Sequence, residues 1–221
     1  PFSLKYDGPD PRHLMGKPLT GLKIVVPTTY FQEDLQADIA TAIQHVRGVL
    51  QDLGAVVEEI ALGDAEALRT HRAFSFILAD VADARRDVYA KYASKLGPEV
   101  RRRIELGQQV SGQDYAACIR SLWRLKREFR QIFESGADIV LTPTTPVTAP
   151  LWSDSRDMIE TTRKVARLTY DLGATGLPSL SIPCGFDRNG LPIGAQVTAA
   201  WCREDRLFQA GSAYQAITTH H

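Results

Sequence analysis

The fold class of this chain is decided by residues 22–60, which read LKIVVPTTYFQEDLQADIATAIQHVRGVLQDLGAVVEEI. The first six residues are an apolar run closed by proline, which predicts a short buried strand. Over residues 35–53 apolar side chains recur at steps of three and four, which predicts a helix, and Gly54 stands where a C-terminal cap belongs. Residues 56–60 predict a second strand. A strand, a helix and a strand with short joints form a βαβ unit, so these two strands should pair in parallel.

The remaining strands and helices follow from the same patterns. Helices are expected over residues 65–93, 99–107, 113–133 and 204–217. Residues 139–141 predict a buried strand, and the prolines of the following Thr142-Pro143-Thr144-Thr145-Pro146 should take the chain out of the sheet. Residues 179–186 and 192–198 predict a hairpin, because the Asn189-Gly190 pair between them favours a tight turn. The expected fold is α/β, with a mixed, mainly parallel sheet flanked by helices.

Composition and charge exclude several classes of protein. The chain of 221 residues has 26 basic and 26 acidic side chains, so no net charge attracts it to nucleic acid or to an anionic membrane. Its three cysteines, Cys118, Cys184 and Cys202, are scattered, which argues against a disulfide framework or zinc site and for a reducing, cytoplasmic compartment. No apolar run has the length of a membrane span and no signal peptide is visible. We expect no metal, cofactor, nucleic-acid partner or membrane partner.

The best candidate nucleophiles lie in the predicted hairpin, and each lacks a partner in the sequence. Ser179 and Ser181 alternate along a strand between Leu and Ile residues, and no G-x-S-x-G turn occurs in the chain. Cys184 has no cationic or histidine neighbour to lower its pKa, and buried free cysteine is commonly a small apolar residue. A cysteine enzyme acting through Cys184 remains an open hypothesis. The residues themselves therefore form no convincing catalytic constellation.

Four blocks of sequence, taken in order, resemble the amidase signature family. They are residues 19–31 (LTGLKIVVPTTYF), residues 99–107 (EVRRRIELG), residues 137–146 (ADIVLTPTTP), and residues 167–186 (RLTYDLGATGLPSLSIPCGF) with residues 189–196 (NGLPIGAQ). The resemblance implies an enzyme that hydrolyses carbon–nitrogen bonds of linear amides through a Ser–cis-Ser–Lys triad. It also implies that the triad belongs to an N-terminal half that would precede residue 1. No catalytic residue is therefore assigned to this chain, which we predict to be inactive alone.

The resemblance also implies a domain layout and a set of partners. Residues 1–18 are expected to be a loop or linker, and residues 19–219 the C-terminal half of an amidase signature domain. The start at Pro1 without an initiator Met is consistent with truncation or processing. The implied partners are a small amide substrate in the intact enzyme and the N-terminal half. An unpaired sheet edge would also favour a homo-oligomer.

The pocket wall that this half would contribute is assigned by resemblance alone. The implied substrate-binding residues follow the strand at 139–141, precede the hairpin or lie in the basic run at 101–103; they are Thr144, Thr145, Tyr170, Thr175 and Arg103. In the A subunits of the glutamyl-tRNA amidotransferases of this family, an arginine at the position of Arg103 helps to hold the glutamine carboxylate. A solvated surface charge is an equally open interpretation of Arg103.

One departure from the family pattern bears on the substrate specificity that the resemblance implies. The same amidotransferase chains have an aspartate where this chain has Ala166. Without that carboxylate the α-amino group of glutamine would lose its charge partner, so we favour a general amidase. The alternative hypothesis is a natural non-catalytic domain that uses the same scaffold for binding or subunit interaction.

Overall fold

A computed structural model of the chain describes residues 8–65 and 73–220. Five strands in this part form one sheet in the order β2-β1-β3-β5-β4. The strands are β1 (Lys23–Pro27), β2 (Val56–Ile60), β3 (Ile139–Pro143), β4 (Ser179–Phe186) and β5 (Pro192–Ala199). β1 pairs in parallel with β2 and β3, and β5 pairs antiparallel with β3 and β4. Four of these strands therefore run in one direction, and two of the four pairings are parallel, which confirms a mixed sheet.

Helices flank both faces of the sheet, as the sequence predicts. They are α1 (Ala37–Asp52), α2 (Ala73–Ala84), α3 (Arg86–Tyr92), α4 (Pro98–Gln108), α5 (Gly112–Glu134), α6 (Met158–Val165), α7 (Arg167–Thr175) and α8 (Glu204–Ile217). The single helix expected over residues 65–93 is wrong in part: α2 and α3 are separated at Arg85, and residues 66–72 lie outside the described ranges. The sequence patterns above did not predict α6 and α7.

The βαβ unit and the last helix form the first layer of the core. The predicted stripe of α1 is buried through Ile39, Ile43, Val46 and Leu50, and it packs with α8 on one face of the sheet. Burying each aliphatic side chain of this size stabilises the fold by about 1.5–3 kcal/mol. Gly54 has φ +96° just after α1, as its predicted role in ending the helix requires.

The strand at residue 139 is longer than expected. β3 continues through Pro143, which lies opposite Ala195 of β5, and the N–H of Thr144 still donates to Gly194 O at 3.0 Å. Alternate N–H groups of a strand point to opposite neighbours, so the imide nitrogen of Pro143 faces the β1 side. The pairing with β1 has already ended at Val140, and no donor is lost there. The expectation that these prolines remove the segment from the sheet is therefore wrong for Pro143.

The second face of the sheet is apolar over β1 and β3 and polar over β5 and β4. Over β1 and β3 it is covered by α5 and α7, whose Phe129 and Leu172 pack with Val25 and Val140. Over β5 and β4 the side chains on the same face are mostly Ser, Thr and Gln. This uneven covering positions the candidate site.

Close packing of α2 on α4 gives a first test of the fold. A Cβ atom at Gly107 would lie 2.0 Å from Leu78 O, whereas a Cβ atom at Gly48 of α1 meets nothing within 4 Å. Gly107→Ala should lower the free energy of unfolding by about 2 kcal/mol or more. The control Gly48→Ala should raise it by roughly 0.5–1 kcal/mol through helix propensity. Urea unfolding of both variants checks this, and a Gly107→Ala variant as stable as the parent would contradict the packing.

Candidate functional site

A row of polar side chains lies on the second face of the sheet, over β3, β5 and β4. This polar face consists of Thr142, Thr144, Ser179, Ser181, Gln196 and Thr198. Gln196 Nε2 donates to Thr142 Oγ1 at 3.4 Å, and the hydroxyls of Ser179 and Thr198 are 2.8 Å apart. Thr142, Gln196 and Thr198 are buried, while the two serines are exposed on β4. The buried polar side chains of this face are therefore hydrogen-bonded to other members of it, and the face is exposed to solvent along β4.

A glycine in β5 makes one contact of the polar face possible. Thr144 Oγ1 and Ser181 Oγ lie 2.7 Å apart, one on each side of Gly194. A Cβ atom at Gly194 would be 2.8 Å from Ser181 Oγ and 2.9 Å from Thr144 Oγ1. Glycine inside a strand often marks a close approach of this kind, and here it is the only sequence signal for the hydroxyl pair.

The polar face adjoins the point where the strand order of the sheet reverses. From β1 the chain moves to β2 on one side, and it then returns to β3 on the other side of β1. Tyr30 follows the carboxyl end of β1, and Thr144 follows the carboxyl end of β3. Ligands of open α/β sheets bind in the crevice at such a switch point. Polar residues at this place define a candidate binding site.

The loop after β1 is held against α7 by a buried cluster. The Tyr30 hydroxyl donates a short hydrogen bond to Asp171, and Tyr30 has the positive φ of +62°. Arg167 donates to Tyr30 O at 3.2 Å and to Glu33 O at 2.6 Å. Its guanidinium carbon lies 5.1 Å from the centre of the Tyr30 ring, within the range of a cation–π contact. The strained loop conformation is thus fixed by groups of α7 that are 134 or more residues away in sequence.

Burial controls the ionisation of this cluster. Asp171 is 3 % exposed, and loss of hydration raises its pKa to about 7, although the Tyr30 hydrogen bond and Arg167 act in the opposite direction. Burial also raises the pKa of Tyr30, and the nearby Asp171 raises it further. The carboxyl of Asp171 therefore changes protonation near neutral pH, beside the switch point.

The hairpin tip joins the loop after β3 to the start of α1. Asp187 Oδ1 accepts the N–H groups of Asn189 and Leu191, which confirms the predicted turn. Asp187 Oδ2 accepts the Thr148 hydroxyl at 2.8 Å, and Gln36 Oε1 accepts the Thr148 N–H at 3.1 Å. Hydrogen bonds from the Leu191 N–H, from Thr148 and from other groups lower the pKa of Asp187. The loop that carries Thr144 is therefore held at its far end.

The site residues suggested by resemblance occupy three different surroundings. Thr144 belongs to the polar face, and Thr145 beside it donates to Val147 O at 2.8 Å. Thr175 is buried at the end of α7, where its hydroxyl donates to Leu172 O at 2.6 Å. Arg103 and Tyr170 lie elsewhere: the Arg103 guanidinium donates to Thr162 Oγ1 of α6 at 2.9 Å, and Tyr170 packs against the small cluster of Leu78 and Ile159. The two threonines of the β3 loop are thus together, whereas Thr175 makes its contacts within its own helix end.

The structure gives Cys184 the character of a core residue. It is 2 % exposed, lies on the α1 and α8 face of the sheet, and its thiol donates to Ile193 O at 3.5 Å. Burial raises the pKa of the thiol to about 12. A nucleophilic cysteine requires the opposite shift, so this geometry argues against the cysteine-enzyme hypothesis.

The described ranges, residues 8–65 and 73–220, contain neither a metal-ligand cluster nor a membrane-spanning helix. No group of three or more His, Cys, Asp and Glu side chains suited to a metal ion occurs in these ranges. Among the helices described there, none combines the length and apolarity that crossing a bilayer requires.

The fold and the sequence both define an amidase-signature protein. The family described as Amidase matches residues 5–208. The A subunit of the glutamyl-tRNA(Gln) amidotransferase of Microcystis aeruginosa is 32 % identical over 252 residues, covering 99 % of this chain and 50 % of that protein. The chain therefore belongs to the amidase family, and it spans about half the length of the curated relatives it matches.

Solved structures share the same fold. The 6-aminohexanoate cyclic dimer hydrolase complexed with substrate superposes with a TM-score of 0.78 and 21 % identity, over 96 % of this chain and 48 % of that one. A second match is a chain of a vestigial protein complex that reveals the origins of an s-triazine catabolic enzyme. It superposes with a TM-score of 0.79 and 21 % identity, over 92 % of this chain and 45 % of that one. At this identity the likeness establishes the fold, with its mixed sheet and flanking helices.

The ionisation of Asp171 gives a test of the buried cluster. Its folded pKa is raised above the unfolded value, so the folded chain binds more protons than the unfolded chain between about pH 4 and pH 7. Stability should fall as pH rises through this window, and Asp171→Asn should remove that loss. The free energy of unfolding of Asp171→Asn relative to the parent should rise by roughly 2–4 kcal/mol from pH 4.5 to pH 8.

Urea unfolding at several pH values measures this difference, with the exposed residue Asp52 changed to Asn as the matched control. Parallel pH profiles for the parent and Asp171→Asn would show that the buried carboxyl does not titrate as described.

Proposed function

We propose that this chain supplies the sheet scaffold and one wall of the substrate pocket of an amidohydrolase that cleaves linear carbon–nitrogen bonds. The nucleophile would come from a second half, equivalent to the part of the relatives that this chain does not match. Membership of the amidase family and the half-length coverage support this division. The observation that carries the proposal is the polar face, which opens along β4 at the side of the switch point.

In the complete enzyme a serine of the second half would attack the carbonyl carbon of the amide. The lysine of that half, acting through the bridging serine, would take up the serine proton and deliver it to the leaving amine. Water would then hydrolyse the acyl-enzyme and regenerate the serine. Backbone N–H groups that stabilise the oxyanion contribute about 3–4 kcal/mol each in such reactions. The present chain would position the substrate for this sequence of steps.

The five residues assigned by resemblance remain our proposed pocket wall. Thr144 is best placed, because its hydroxyl already lies on the polar face with Ser181. Thr145 and Tyr170 are half-buried, so part of each side chain faces outward. The hydroxyl of Thr175 is bonded within its own helix end, so this residue would contribute shape rather than a donor.

A general amide is the substrate class that we favour. Arg103 bonds to Thr162, one helical turn before Ala166, so position 166 lies near the guanidinium that would hold a substrate carboxylate. The methyl group of Ala166 offers no charge to an α-ammonium group. This supports a general amidase over part of a glutamine-specific amidotransferase, although the curated relatives carry the latter name.

The partners of the chain follow from the same surfaces. Within the described residues β4 has β5 as its one neighbour in the sheet, and such an edge favours pairing with the second half or with another copy.

The three cysteines are free, which supports a reducing, cytoplasmic compartment. A natural non-catalytic binding or subunit-interaction domain on the same scaffold is the alternative function.

The proposal predicts that the 221-residue chain releases no ammonia or amine from simple amides. It also predicts no labelling by a serine-directed fluorophosphonate probe. The product of the complete reading frame that contains this chain should do both, with one labelled serine upstream of Pro1. In that product, Thr144→Val combined with Ser181→Ala should lower kcat/KM at least ten-fold, whereas the exposed control Ser153→Ala should not.

Two results would overturn parts of this proposal. Labelling or turnover by the isolated chain would place the nucleophile within it. A complete reading frame that encodes no upstream serine and lysine would favour the non-catalytic domain instead.

A further inference from the structure

A second surface, separate from the polar face, combines tryptophan and basic side chains. This basic groove of about 590 Å³ is lined by Trp123, Arg124, Lys126, Arg127, Arg130 and Trp201. Five of them lie on α5, and Trp201 forms the opposite wall beside Gly176 at the end of α7. Trp123 is 69 % exposed, which is unusual for so large an apolar side chain.

The groove carries a local charge that the chain as a whole lacks. Residues 120–130 contain five basic side chains and one acid, Glu128, in a protein with equal numbers of both. Arg124 pairs with Asp64, and Glu128 accepts the Gly63 N–H. Among the described residues, no ion pair is formed by Lys126, Arg127 or Arg130. Three cations are therefore available to a negatively charged ligand.

The basic groove is not part of the amide site. β5 is antiparallel to the other strands, so its last residue, Ala199, pairs with Ile139 at the amino end of β3. Trp201 follows Ala199 and therefore lies at this edge of the sheet. α5 also ends at this edge, because it leads directly into β3. Tyr30 and Thr144 lie at the opposite, carboxyl ends of β1 and β3. A small amide at the switch point would thus not reach the groove.

We propose that the basic groove binds an acidic segment of a partner protein, in which carboxylates alternate with aromatic or large aliphatic side chains. Trp123, Arg127 and Arg130 span about 10 Å of helix, which matches three or four residues of an extended peptide. Guanidinium groups pair bidentately with carboxylates, and the indoles bury the apolar side chains between them. A second copy of the chain is disfavoured at this place, because two basic grooves would face each other.

The test uses a fluorescein-labelled, tryptophan-free peptide of alternating Glu and Leu residues, titrated with the full chain and followed by anisotropy. A peptide with Lys in place of Glu and a labelled oligothymidylate serve as probes of charge sign and of nucleic acid. The groove variant is Arg127→Glu with Arg130→Glu. The control is Lys17→Glu with Arg156→Glu, which makes the same charge change at exposed positions elsewhere.

We expect saturable binding of the acidic peptide that weakens with added salt. Affinity should fall at least ten-fold in the groove variant and less than two-fold in the control, with thermal unfolding showing that both are folded. If the groove variant does not fold, Trp123→Ser should give a loss of at least three-fold. No saturable binding, equal losses in the groove and control variants, or tighter binding of oligothymidylate would overturn the proposal.

Discussion

The structure depends on one constraint: polar side chains placed inside a sheet must find partners within it. Thr142, Gln196 and Thr198 are buried, and each is hydrogen-bonded to another member of the polar face. An unpaired polar group at such a place would cost about 1–3 kcal/mol. The uneven second face, apolar over β1 and β3 and polar over β5 and β4, is stable because these bonds are made. The same unevenness leaves hydroxyl groups exposed where a second half would meet the chain.

The buried cluster of Tyr30, Arg167 and Asp171 extends this arrangement to the loop after β1. That loop has an unfavourable backbone conformation at Tyr30, and two separate groups of α7 hold it. The loop after β3 is held by Gln36 and Asp187 in a comparable way. Both loops at the switch point are therefore fixed by contacts within the chain, as the proposed role of a scaffold half requires.

The elements that the sequence predicts well are those with a local signal. The strand at 56–60 is rich in β-branched residues, the hairpin has an Asn-Gly turn, and the last helix has an apolar period. The expectation for Pro143 was wrong because β1 no longer pairs with β3 at this position. The strand therefore needs no N–H group on that side. The helices α6 and α7, of eight and nine residues, were not predicted from the sequence patterns.

The site itself is mostly invisible in the sequence. The hydrogen bond between Tyr30 and Asp171 joins residues 141 positions apart, and the bond between Thr144 and Ser181 joins residues 37 apart. The one local feature that marks the second of these contacts is Gly194, a glycine inside a strand. The family resemblance supplied the pocket residues as proposals, whereas the fold supplied the place at which they would act.

Hydrogen–deuterium exchange of β4 tests the central claim, that the polar face and the β4 edge are covered by a second half. Amides of residues 179–186 should exchange at least ten-fold more slowly in the complete protein than in the 221-residue chain. Those of the central strand β1, residues 23–27, should change little between the two, since both neighbours of β1 are already present. Equal exchange of β4 in the two proteins would contradict the claim that this edge is where the halves meet.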